Sequence, residues 1–97
     1  MKMKINLDVV LDSFESEEEY IQFMKEEYNL NVEIHDDYIT HATFEGAPED
    51  IIKYLPKYGL NKSDLLGNEF NDIKQSYLKC INSNNENDYV EWLNLIK

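Results

Sequence analysis

His35, Asp36, Asp37 and His41 form the one group in this 97-residue chain whose types suit a metal ion. Imidazole and carboxylate both ligate zinc or manganese. Their spacing matches no familiar pattern: there is no HExxH, no CxxC and no calcium-loop run of carboxylates. Two adjacent aspartates between apolar segments are ordinary turn formers. The turn reading is favoured, a polar recognition edge stands second, and neither a metal nor a cofactor is expected. Cys80 is the single cysteine, so no internal disulfide is possible. A reactive thiol needs exposure, a lowered pKa and a nearby base. Cys80 instead sits beside an apolar helical stripe and reads as a small core residue. Ser16 and Ser63 have sufficient roles as helix caps, and Gly46, Gly59 and Gly67 are too scattered to cradle a phosphate. Paired carboxylates do acid–base work only when one has a raised pKa in a pocket. With twenty acids in the chain, close pairs arise by chance. The expectation is a protein that is not an enzyme.

The elements that position these groups follow from periodicity. Met3, Ile5, Leu7, Val9 and Leu11 alternate with mostly polar residues, which predicts a first strand over about residues 2–11 with one buried face. The period then changes in SEEEYIQFMKEEY. Ser16 is a good N-cap with Glu19 three residues on, and Tyr20, Ile21, Met24 and Tyr28 share a helical face, with Phe23 on its flank. Val32 and Ile34 alternate again, Asp36-Asp37 turns, and Tyr38 to Phe44 returns. A two-residue loop pairs Ile34 with Ile39; a three-residue loop pairs Ile34 with Tyr38. The second is favoured because it buries Val32, Tyr38, Thr40, Ala42 and Phe44 together and leaves both histidines near solvent.

Pro48 suits a first helical position, Ile51, Ile52 and Leu55 supply the apolar side, and Pro56 is expected to end or kink that helix near Tyr54 or Leu55. Ser63 is read as the cap of a short turn and Asn68 as the cap of a longer helix carrying Phe70, Ile73, Tyr77 and Ile81 inward. NSNNEND is a polar linker; Tyr89, Leu93 and Ile96 define a last short helix, with Trp92 one position off the stripe. The fold class is α+β: one domain over 1–97, in β-α-β-β-α order, with an antiparallel sheet and additional C-terminal helices. The first five elements read as the front of a split β-α-β fold whose last strand is missing, with helices in its place.

Charge is the remaining feature. Twenty acids face nine lysines and no arginine, a formal charge of -11, yet 42% of residues are hydrophobic and 12% are tyrosine, phenylalanine or tryptophan, which is no disordered composition. Excess carboxylate repels polyanions, and arginine, the usual bidentate reader of phosphate, is missing. Direct nucleic-acid or anionic-membrane binding is not expected. No signal peptide or membrane span is read in the start MKMKINLDVV, and a cytoplasmic location is expected. Residues 8–50 hold fourteen acids and only Lys25. Three of those acids, Glu17, Glu18 and Glu19, suit a helix start. Glu26 and Glu27 do not, since the dipole disfavours acids near a helix end. Even solvation usually intersperses both signs.

The expected function is an inhibitor or binding protein that occludes a basic protein surface, with carboxylates standing in for phosphates. The nucleic-acid channel of a nuclease or other defence effector is the type of partner envisaged, and a phage or mobile-element origin suits the small, acidic, asparagine-rich character. The candidate partner-binding residues are Glu17, Glu18, Glu26, Glu27, Glu33, Asp36, Asp37, Glu45, Glu49, Asp50 and Tyr38, with Tyr20, Tyr28, Tyr54 and Tyr58 as further aromatic contacts. The alternative is an accessory module that binds through an apolar patch, using an open sheet edge and an exposed Trp92, with charge serving solubility alone.

Overall fold

The computed structural model describes residues 1–11, 13–36 and 40–96. The elements run β1 (Met3–Asp8), α1 (Glu17–Tyr28), β2 (Asn31–Asp36), β3 (Thr40–Gly46), α2 (Pro48–Tyr58), α3 (Lys62–Leu66), a single 3-10 turn at Asn68–Phe70, α4 (Asn71–Cys80) and α5 (Glu86–Leu93). The α+β class, the β-α-β-β-α order, the antiparallel sheet and the added C-terminal helices are all present. The sheet order is β1-β3-β2, with both pairings antiparallel. That is the order of a split β-α-β fold without the strand that would lie beside β1.

The alternation in β1 puts Met3, Ile5, Leu7 and Val9 into the core and leaves Lys4, Asn6 and Asp8 exposed. Ala42 and Phe44 of β3 and Val32 of β2 join the same face. Tyr20 and Met24 of α1 and Ile51, Ile52, Tyr54 and Leu55 of α2 belong to the same core cluster, to which Ile73, Leu78, Tyr89, Trp92 and Leu93 add the C-terminal helices. Each strand residue directs its amide and carbonyl to one side, and the side alternates. Val9 N–H bonds Thr40 O of β3, so Lys2, Lys4, Asn6 and Asp8 aim theirs at the outer edge of β1. Two of those edge carbonyls are occupied: Cys80 Sγ donates to Lys2 O at 3.3 Å, and Tyr58 Oη donates to Asp8 O at 2.8 Å. Side chains from α4 and α2 thus cap the two ends of the edge where another strand would pair.

Several expectations need correction. The ladder spans Met3–Asp8, and Leu11 is only half-buried beyond it. Ile34 stands opposite Ala42, not Tyr38, and Val32 opposite Phe44. The difference is an even slide, so the favoured face is kept, while all six β2 residues now pair with β3. Tyr38 and Asp37 lie outside the described residues. Pro56 does not end α2, which continues to Tyr58. The last turn is held by Gly59 N–H on Leu55 O and Pro56 O, with Gly59 at φ 115, and by Tyr58 anchored on β1. Asn61 rather than Ser63 caps α3, because its side chain takes Asp64 N–H while Asp64 returns a bond to Asn61 N–H. Asn68 opens a 3-10 turn and not α4 itself. Trp92 is 4% exposed, stacked on Tyr77 with ring centroids 4.4 Å apart, and its Nε1–H donates to Pro48 O at 3.2 Å.

Candidate acidic surface around the first helix

Ser16 starts α1: its Oγ accepts Glu19 N–H at 3.1 Å. Glu19 replies one residue earlier than a standard capping box, accepting Glu15 N–H at 2.9 Å. Asn29 ends the helix at φ 55, its N–H bonded to Lys25 O, so the chain reverses within two residues into β2. Burial of Tyr20 and Met24 fixes the rotation of the helix. Glu18, Glu19, Gln22 and Glu26 are thereby left exposed on the outward side, and Glu27 is exposed on a flank. Gln22 Nε2 donates to Glu26 Oε1 at 2.7 Å, and Lys25 Nζ donates to Asn31 Oδ1 at 3.3 Å.

The return of β2 extends this surface at both ends. At the start of α1, Glu17 meets Asp36, the last residue of β2. A hydrogen bond shared with the Asp36 carboxyl, and then repulsion from its charge, push the Glu17 pKa up. Thr40 Oγ1 also donates to Asp36 Oδ1 at 3.2 Å. At the other end, the C-cap Asn29 donates through Nδ2 to Asp50 Oδ2 at 3.4 Å, which brings Asp50, in the first turn of α2, beside the end of α1. Glu49 lines a groove between α2 and the segment after α5 instead. Glu17, Glu18, Glu26, Asp36 and Asp50 therefore border one helix, whose twelve residues extend about 18 Å.

Other candidates lie elsewhere. Glu33 and Glu45 project from the outer face of the sheet, opposite the core, and Glu45 pairs with Lys4 at 3.5 Å. Tyr20 and Tyr54 are buried and share a hydroxyl–hydroxyl bond at 3.4 Å, so neither reaches a partner; Tyr28 and Tyr58 are half-buried. Burial pushes the Tyr54 hydroxyl well above the ordinary tyrosine range. Among the described residues the ion pairs are Lys4–Glu45 and Lys74–Glu86, and neither involves a carboxylate of α1.

The pleat divides the histidine–aspartate group. His35 and His41 are directly opposed across β2 and β3, with rings stacked at 5.0 Å. Asp36 has the opposite parity and turns toward Glu17 and Thr40. Thr43 Oγ1 donates its one proton to Asn6 Oδ1 at 2.7 Å, so in its 3.1 Å contact with His35 Nε2 the imidazole is the donor. Among the described residues no three His, Cys, Asp or Glu side chains are grouped to hold a metal ion.

The sequence carries a signal for the approach of Asp36 to Glu17. A twelve-residue helix of about 18 Å and a six-residue strand of about 20 Å, joined by a short reversal, must bring the strand's end back to the helix start. None of the described helices is long and apolar enough to cross a membrane. No family model, curated protein or solved structure matches the chain.

Proposed function

We propose that the protein binds a positively charged protein surface through the acidic border of α1 and so keeps other anions from that surface. The observation that carries this reading is a row of carboxylates without cationic partners: the exposed Glu18, Glu26 and Glu27 on α1, continued by Glu17 with Asp36 at one end and by the half-buried Asp50 at the other, none of them in an ion pair among the described residues. Asp36 raises the Glu17 pKa, and a cation beside the pair would favour the charged form of both carboxylates. A lysine- or arginine-lined channel of a nucleic-acid-binding enzyme has the chemistry to supply such cations, with carboxylates taking the place of phosphates. Glu33 and Glu45 contribute at most long-range attraction, since they face away from α1. The accessory reading loses Trp92, which is buried.

The test is capture of partners from lysate on the immobilised protein, washed at low and then at high salt. A basic partner retained at low salt and released at high salt supports the reading. Partners that are acidic, or that stay bound regardless of salt, refute it.

A further inference from the structure

We propose that the groove between α2 and the segment after α5 docks an acidic amphipathic helix of another protein. The groove has a volume of about 600 Å³ and is floored by Ile52, Pro56, Leu95 and Ile96. Leu95 is 59% exposed, one of few large apolar side chains left in solvent. Lys53 and Lys57 line the same groove, one helical turn apart. Both are exposed, and among the described residues neither makes an ion pair or hydrogen bond. Lys62 adds a nearby cation, its ammonium bonded to Asn94 Oδ1 next to Leu95. In a chain of charge -11, free ammonium groups beside exposed apolar surface stand out. Glu49 lies one turn before Lys53 at the groove's end and remains unpaired with it.

The spacing selects the occupant. Ile52 and Pro56 repeat at i and i+4, as do Lys53 and Lys57, so apolar and cationic rows run side by side along α2. A helix lying along the groove presents matching rows, leucine-like residues to the floor and Asp or Glu at i and i+4 to the ammonium groups. A fatty acid brings one carboxylate and leaves one lysine unused. A second copy of the chain does not fit: its acidic helix α1 spends its apolar face, Tyr20 and Met24, on its own core.

The experiment uses the full chain and a fluorescein-labelled helical peptide with leucines at i, i+3, i+4 and i+7 flanked by glutamates, read by anisotropy. The expected result is saturable binding, weakened roughly tenfold in Lys53→Glu/Lys57→Glu and comparably in Leu95→Asp. The same peptide with glutamines for glutamates binds more weakly to the wild type. Circular dichroism verifies that both variants fold; their side chains are exposed, so the core is untouched. No saturable binding, equal binding to the charge-reversed variant, or a site filled by dodecanoate and not by the peptide overturns the proposal. Glu18→Gln/Glu26→Gln/Glu27→Gln must not weaken peptide binding, which separates this groove from the acidic surface of α1.

Discussion

Neutralising Glu18, Glu26 and Glu27 to glutamine removes three exposed charges while leaving the buried stripe of α1, Tyr20 and Met24, intact. In an encounter with a basic surface, each carboxylate approaches a cation to about 6 Å through solvent, an attraction of about 0.7 kcal/mol before screening. Screening at physiological salt roughly halves this, so the three together contribute about 1 kcal/mol, or about fivefold in association rate. At low salt, near 0.01 M, the loss grows to about fifteenfold, and near 1 M it shrinks to less than about twofold. Dissociation changes little, because rim charges act mainly on encounter. The fold should tolerate the change. Glu18 supports the first turn by about 0.3–1 kcal/mol, whereas Glu26 and Glu27 oppose the dipole near the helix end, so the terms nearly cancel. Stopped-flow association with the captured partner at three salt concentrations is the assay, with circular dichroism as the check on α1. A triple variant that associates at the wild-type rate in low salt refutes the steering role of this helix.

Leu7→Ala removes a 5%-exposed side chain from β1 and is expected to cost about 2–5 kcal/mol in a urea titration, whereas Asn6→Ala on the outer face stays well below that. Glu17 has a raised folded pKa, so the native state gains from its protonation below the ordinary glutamate value and loses that gain as pH rises through the folded pKa. Glu17→Gln should flatten the stability profile across that acidic window, and an unchanged profile would show that Asp36 does not perturb it. Anisotropy titration with duplex DNA or single-stranded RNA at physiological salt should show no binding, and a lysine-dependent salt slope would contradict the charge argument.

The fold was legible where one period ran long enough to decide a face. The alternation from Met3 to Val9 identified the buried side of β1, and Ser16 with the Tyr20–Met24 stripe located α1. Legibility failed where local rules met tertiary contacts. Pro56 forfeits one helical bond, yet Tyr58 on Asp8 O and the left-handed Gly59 hold the turn beyond it. Trp92 lies one residue off the expected stripe, but Tyr77 and Pro48 O close over its ring and Nε1–H. The hairpin face was readable and its register was not, because an even slide preserves every inward side chain.

The same pleat decides which acids act together. In sequence, Glu33, Asp36, Asp37 and Glu45 follow α1 as one block with Glu49 and Asp50. In space, parity sends Glu33 and Glu45 to the outer sheet face, where Glu45 meets Lys4, and sends Asp36 back to Glu17. Attraction that depends on close opposition is therefore concentrated along α1 and its two ends, and charge on the outer sheet face acts only through the screened field. That division ranks the substitutions: Glu33→Gln, on the far face, should alter association less than Glu18→Gln or Glu26→Gln at equal change in net charge. If only net charge mattered, the three single variants would slow association equally at every salt concentration, and the spatial argument would fail.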